Sequence, residues 1–533
     1  MLLITQNGFL VTIFRYMKKI LIAGLTLVIV VVAAGIGFNI YIKSKIEDAL
    51  KNKLPDEIKL QYSSLDINSW LGNISLDDVI IDHQAHDSLP KNRYSTQNIA
   101  LKGLSYSEFL KEDVIHFSEI EISQSDFVLH KPAKKSQDTS SKKNNNKDQK
   151  TILIDAFIIQ PSTISVYDDH KDSTYITVKD FSLKAKNIHT VNDKNKGLPV
   201  RYEIEKIQTD SVFLRMNDFD DLRIGNLVFE DHDLSLKDLQ IKTKYSRETL
   251  SKIISKERDH YNIIMPQVDF KNLDWNIEND RSNITANDLE LQNVRAAIYR
   301  DKRVADDFSR KALYSEALRK LPFNLMINTM KIKNASLTYF EKVKTSENAG
   351  ELAFTNMYVT ATDVGNMYAK GEKRTALTIS STFMGHGKVD AKWAFDINNT
   401  AEVFNFDGSV TNLPADQLNS FITPNSNVEL EGTLNEAYFT ISGNDNTGHI
   451  NMKMKYDDFK VSVLNEKKKK KWLISTIANL FIKKDSEEAG DMGYRLGESD
   501  VSRNKSKSVF NFLWLCLKQG LLNTMTSSGK TKA

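Results

Sequence analysis

A short pattern recurs along the chain and limits what it can fold into more than any other feature. Two apolar residues separated by one are followed by four residues containing Asp, Asn, Ser or Gly, then by two more apolar residues separated by one. It reads Ile120, Ile122, Phe127, Leu129; Phe157, Ile159, Ile164, Val166; Val268, Phe270, Trp275, Ile277; Met330, Ile332, Leu337, Tyr339; and Met452, Met454, Phe459, Val461, with a weaker copy at Ile207, Val212 and Leu214. A second version carries an extra apolar residue inside the gap, as in Ile176, Val178, Phe181 and Leu183 around Lys179-Asp180. It returns from Leu234, from Ile284 and from Leu352, with earlier relatives from Ile74 and from Ile99. Between residues 157 and 359 the two versions alternate.

Period-two alternation is a strand signal. The inner apolar pair is five residues apart, an odd step, so an undisturbed strand would turn its second half to the opposite face. A bulge or tight bend restores the face, and Asp, Asn and Gly supply the left-handed conformations and local hydrogen bonds that such a bend needs. The pattern therefore predicts long bent strands with their apolar side on one concave face, meandering through a sheet in which each repeat packs on its neighbours. Two short strands of a hairpin in an ordinary sandwich are the other reading. The expected fold class is mainly β: an elongated, curved antiparallel β-sheet groove with a few helices, preceded by one transmembrane helix.

Ile20 to Ile42 is a run of 23 uncharged residues, about 35 Å long as a helix and enough to span a bilayer. Arg15, Lys18 and Lys19 precede it, which favours an N-terminal segment 1–19 on the cytoplasmic side. Val32-Ala33-Ala34 leaves a cleaved signal peptide as the alternative, and Met17-Lys18-Lys19 resembles a second start. The expected organisation continues with a repeated β region over 43–465. Within it lie a solvated insertion at 131–150 with seven lysines and helices near 246–260 and 304–321.

The last part, 466–533, reads as amphipathic helices and tail. Lys467, Lys468, Lys469, Lys470 and Lys471 precede Trp472 and the stripe Leu473, Ile477, Leu480, Phe481, and a second stripe runs Phe510, Leu513, Trp514, Leu517, Leu521. Ammonium groups beside an aromatic and aliphatic face suit a membrane headgroup boundary. A helix closing the end of the core fits the same pattern.

Chemistry is sparse. The 72 Lys plus Arg nearly balance 69 Asp plus Glu, so no polyanion partner is expected and nucleic acid is set aside. One cysteine and ten scattered histidines, of which His83 and His86 are the nearest pair, offer no metal cluster. Gly529-Lys530-Thr531 echoes a phosphate loop, but Thr524 stands where the first glycine belongs. Acidic pairs such as Asp77-Asp78 and Asp457-Asp458 fall at the bends, where turn chemistry accounts for them. No catalytic residue, metal ligand or cofactor is expected, and the chain does not read as an enzyme.

Three stretches carry a resemblance: Ile67-Asn68-Ser69-Trp70-Leu71-Gly72-Asn73-Ile74-Ser75-Leu76-Asp77-Asp78-Val79; Leu413-Pro414-Ala415-Asp416-Gln417-Leu418-Asn419 with Leu430-Glu431-Gly432-Thr433-Leu434 and Tyr438-Phe439-Thr440-Ile441-Ser442-Gly443; and Lys507-Ser508-Val509-Phe510-Asn511-Phe512-Leu513-Trp514. With the anchor ahead of them, these resemble the bacterial AsmA-like family of envelope proteins. The resemblance implies an inner-membrane anchor, a periplasmic β-groove that carries phospholipid between membranes, and a part in outer-membrane homeostasis. On that expectation Phe127, Leu129, Ile164, Val166, Trp275, Ile277, Leu337 and Tyr339 face acyl chains, while Lys467–Lys471, Trp472, Phe510 and Trp514 meet a membrane surface. The competing function is a structural or assembly factor that binds outer-membrane clients or envelope proteins through its sheet edge.

Overall fold

The computed structural model describes residues 58–68, 70–84, 92–111, 114–130, 151–168, 173–190, 200–278, 281–369, 371, 373–465 and 493–526. The expected membrane span at 20–42, the basic insertion 131–150 and the Lys467–Trp472 segment lie outside them. The chain is mainly β, and the described residues form 24 strands and five α-helices. Among the described residues no helix is long and apolar enough to cross a membrane. The described chain divides into two compact units: an N-terminal one of residues 58–238 with 276–282, and a C-terminal one of 239–275 with 283–526.

In the N-terminal unit β3 (Asn73–His83), β4 (Asn92–Lys102), β5 (Val114–His130), β6 (Thr151–Asp168) and β7 (Ser173–Thr190) pair in chain order. Their neighbours are broken in two. β1 (Ile58–Gln61) and β2 (Ser64–Asn68) share β3 as partner, and β8 (Val200–Thr209) and β9 (Ser211–Arg215) share β7. β10 (Asp220–Ile224) then pairs with β9, and β11 (Asn226–Glu230) pairs with both β8 and β12 (Asp233–Thr243).

The odd step is resolved by single residues in the left-handed region. Asp78, Gln124, Asp180 and Asp238 have φ of 47°, 50°, 53° and 53°. Each sits inside the four-residue gap of its copy, and the apolar residues on both sides stay buried: Leu76 and Val79, Ile122 and Phe127, Val178 and Phe181, Leu236 and Leu239. In the C-terminal unit Asn334 (φ 54°), Asn356 (φ 48°) and Asp458 (φ 49°) take the same left-handed conformation inside their gaps, but of the flanking apolar residues only Met454 is buried, while Ile332, Leu337, Phe354, Met357 and Phe459 are half-buried. A short side chain that can bond its own backbone lowers the cost of this conformation, so the bent-strand reading holds over the two-strand alternative in these copies. At Asn272 (φ 49°) the bend becomes a break, which divides that copy into β13 (Asp259–Lys271) and β14 (Asp274–Glu278).

The sheet is not purely antiparallel. β5 and β6 run parallel, Val114 beside Thr151 and His130 beside Tyr167. A parallel pair requires a crossover connection, and the sequence between these strands is the lysine-rich stretch. In the C-terminal unit β17 (Asn324–Lys342) runs parallel to β15 (Arg281–Gln292) and to β16 (Arg295–Asp301). From β17 an antiparallel meander follows through β18 (Gly350–Gly365), β19 (Thr375–Phe383), β20 (Gly387–Phe395), β21 (Phe404–Pro414), β22 (Val428–Gly443), β23 (Thr447–Val463) and β24 (Arg495–Ser502).

The helices are α1 (Tyr106–Lys111), α2 (Arg247–Ile253), α3 (Tyr314–Arg319), α4 (Asn419–Ser426) and α5 (Val509–Met525). Two are shorter than their periodicity predicts. Ser246 caps α2 by accepting from the Thr249 amide, but Ile254 is already extended and Asp259 onward pairs with β16. Ahead of α3, Asp307 takes up the Ser309 amide and hydroxyl and the Lys311 ammonium in a local turn, and Phe308, expected on the helical stripe, is 76% exposed.

Candidate functional site

The apolar face of the N-terminal unit is built from rows that cross its strands in register. One runs Tyr94, Phe127, Ile164, Val178, Val212, Ile224, and the next Leu129, Val166, Ile176, Leu214, Leu222. Beyond the bend the rows continue through Ile122, Ile159, Leu183, Ile207 and Phe229. The four groove candidates here are buried, Val166 completely and Phe127, Leu129 and Ile164 at 5% exposure or less. Tyr94 packs edge-on against Phe127 at 6.0 Å, and burial pushes its phenol up to about 12. Among the described residues this unit has one helix, the six-residue α1 beside β5.

The corresponding face of the C-terminal unit is covered. Its rows run Leu377, Trp393, Phe406, Ile441, Ile450 and Ile379, Ala391, Gly408, Phe439, Met452. Helix α5 packs on β23 and β24 through Val509, Phe512, Leu513, Cys516, Gly520 and Thr524, all buried. Close approach demands glycine: a Cβ on Gly497 would stand 2.2 Å from Thr524 Oγ1 and 2.8 Å from the Gly520 carbonyl, and one on Gly448 3.0 Å from Cys516 Sγ. Burial pushes the Cys516 thiol up to about 11, so it behaves as an inert apolar group.

The helical stripe read from sequence therefore splits. Leu513 is buried, while Phe510 and Trp514 are 61% and 47% exposed, the Phe510 ring reaching Tyr314 at 6.2 Å and Trp393 at 6.5 Å between centroids. Apolar residues lie on most sides of α5, interrupted by Asn511, Lys518 and Gln519, so periodicity gives little basis for choosing which side packs.

The crossover between β16 and β17 closes another part of this face. Tyr314 of α3 lies 5.1 Å from Trp393, whose ring also meets Phe395, Phe404, Phe406 and Phe510. Ion pairs hold the crossover down. Glu402, buried and in the left-handed region at φ 60°, accepts from Ser315 Oγ and Arg319 Nη2. Asp445 accepts from Arg310, Lys505 and the fully buried side chain of Arg503, which also donates to the Lys311 carbonyl. Burial opposes ionisation of Asp445, but Lys505 and Arg310 hold its carboxyl below the usual range. Lys507 bridges Glu257 at 3.0 Å and Asp306 at 2.8 Å.

Trp275, Leu337 and Tyr339 are more open. Leu337 pairs with Phe354, which pairs with Phe383, and Tyr339 pairs with Leu352; all five are half-buried. Helix α4 borders this strip, with Phe421 6.4 Å from Tyr339. Trp275 is half-buried on β14, where Ile277 also falls.

The opposite, polar side of β19–β24 forms a concavity of about 1250 Å³. One register row of its lining runs Thr378, Lys392, Asp407, Thr440, Asn451, Glu498, and all six are exposed. The next row carries Asp390, Ser409, Tyr438 and Lys453. The Tyr438 hydroxyl donates to Glu436 at 3.0 Å, as does that of Tyr494 at 2.6 Å, and Lys453 Nζ sits 5.2 Å from the Tyr438 ring centroid. Hydroxyl, amide and charged residues at alternate positions are the only sequence signal for this trough, and any solvated strand face shares it. The chain matches no protein-family model and no curated protein.

Proposed function

We propose that this chain is a membrane-associated lipid-handling protein, not an enzyme, in which the apolar side of the β-sheet binds phospholipid acyl chains. The observation that carries this reading is the N-terminal apolar face: aligned rows of Ile, Val, Leu and Phe across successive long strands, with only α1 as a described helix in that unit. A wide apolar sheet face needs a second layer or an apolar ligand. The half-open strip at Leu337, Tyr339, Phe354 and Phe383 offers the same chemistry in the C-terminal unit. The exposed Phe510 and Trp514 on α5, near Lys518 in sequence, give an aromatic surface of the kind that rests at a headgroup boundary. The uncharged run at 20–42, the balanced charge and the lack of a metal-type motif are consistent with this reading.

The test is native mass spectrometry of the full chain extracted in mild detergent, paired with photo-crosslinkers at Val166 and Leu337. Phospholipid should co-purify and be captured at both positions. Capture of protein alone at both, with no lipid in the spectra, removes the basis of the proposal.

A further inference from the structure

We propose that the polar trough across β19–β24 is a second binding site, independent of the lipid reading, and that it takes a linear uncharged oligosaccharide. The trough is a concavity of about 1250 Å³, and its floor crosses six strands, about 24 Å at the usual strand spacing. That length and its open form suit a chain of several pyranose rings rather than a compact ligand.

The chemistry of the lining selects among chain-like ligands. The long central row presents hydroxyl, ammonium, carboxylate and amide groups from Thr378, Lys392, Asp407, Thr440, Asn451 and Glu498, so each ring step meets a donor or acceptor. An acyl chain would strip water from these groups without replacing their hydrogen bonds. Lys392 and Lys453 stand among Asp390, Asp407, Glu498 and Asp500, so there is no cationic excess to neutralise a polyphosphate.

Tyr438 adds the feature a sugar uses and a solvated sheet face does not need. Its hydroxyl is tied to Glu436, Lys453 stands over its ring, and 37% of the residue remains exposed at the trough. A ring immobilised in advance is a platform for the C–H face of a pyranose, at little ordering cost on binding.

The experiment titrates the full-length, detergent-solubilised protein with tetramers of β-1,4-linked N-acetylglucosamine and α-1,4-linked glucose, their monomers and tetra-alanine, read by calorimetry. At least one tetramer should bind, at least tenfold tighter than its monomer. Tyr438→Ala should weaken it at least tenfold, and Lys392→Ala, at an exposed side chain, at least threefold with an unchanged melting curve. Bound phospholipid should be the same in both variants. No binding by either tetramer, equal binding by the peptide, or binding indifferent to both substitutions overturns the assignment. Because lipid content is measured in the same samples, failure here is distinguishable from failure of the lipid-binding function.

Discussion

Ile441 and Ile450 in the C-terminal unit and Ile164 and Val166 in the N-terminal unit occupy equivalent places on apolar register rows, and all four are buried. Their surroundings differ. The C-terminal face carries α5, seated where Gly448 and Gly497 leave room, and a crossover fastened by Glu402 and Asp445. The N-terminal unit has long rows of the same residue types and, among the described residues, only α1 for a helix. The same repeat therefore makes a core where helices close it. On the lipid-handling proposal, the N-terminal rows serve an apolar ligand instead.

The sharpest test is a carboxylate placed on each face. Ile441→Asp buries an unpaired charge between the sheet and its aromatic neighbours, and should cost about 5 kcal/mol, enough to unfold the unit. On the lipid-handling proposal Val166→Asp, though Val166 is as buried as Ile441, should cost less and lower the phospholipid that co-purifies, because a face that opens to take up lipid admits water to the carboxylate. Denaturant melts and lipid analysis of the two variants check this. Equal unfolding would make both faces closed cores and end the contrast.

The fastening of the crossover comes next. Arg319→Met leaves Glu402, buried at a positive φ, with only Ser315. Removing one partner of a buried pair costs about 3 to 5 kcal/mol, so the C-terminal melting transition should fall steeply while lipid capture at Val166 is unchanged. Gly497→Val is milder. The new side chain meets Thr524 and the Gly520 carbonyl, and overpacking of about 1 to 3 kcal/mol should lift α5 and raise protease cleavage within 509–525.

Acid should also loosen the C-terminal ion pairs. Asp445 and Glu316 have carboxyls held below their usual values of 3.8 and 4.5: burial opposes this, and the cations beside them outweigh it. A depressed folded-state pKa adds stability that is present above the unfolded pKa and is lost as pH falls through the folded one. The C-terminal transition should therefore drop by a few degrees between pH 5 and 3. His449, raised chiefly by its hydrogen bond to Asp500, contributes the opposite sign: its stabilisation is full below the ordinary 6.5 and fades as pH rises through the higher folded value. Thermal scans at pH 3, 5, 7 and 9 read both, and a flat profile from 5 to 3 removes the ion pairs from the account.

What sequence could announce was the local part of this architecture. A bend is decided within four residues, so Asp78, Asp180, Asp238, Asn334, Asn356 and Asp458 were legible as the points where parity is restored. Direction was not legible, because a strand has the same period whichever way its neighbour runs; hence the parallel ladders of β5 with β6 and β16 with β17. That a C-terminal helix could close the core was one of two readings, but which of its sides would pack was not legible. Leu513 and Trp514 are adjacent apolar residues, and the seating of α5 through Phe512, Cys516 and Thr524 over Gly448 and Gly497 fixes which of its sides is buried. The trough was invisible because it arises from sheet curvature acting on ordinary solvent-facing residues.

The smallest expected effect is a control in which the two units should not differ. Asp180 in the N-terminal unit and Asn356 in the C-terminal unit hold the same left-handed bend, at φ of 53° and 48°. Alanine at either position keeps the bend's geometry but lacks the short polar side chain that favours a left-handed conformation, and should cost about 1 kcal/mol. Glycine adopts the conformation without a Cβ penalty, and should leave stability within about 0.5 kcal/mol of the parent. Chemical denaturation of the four variants measures this. If the bend is only a device for keeping apolar residues on one face, the alanine costs match in the two units and lipid binding is untouched. If alanine at 180 also reduces bound phospholipid while alanine at 356 does not, the bend shapes the binding surface as well, and the difference between the units extends from what covers the sheet to how the sheet itself is curved.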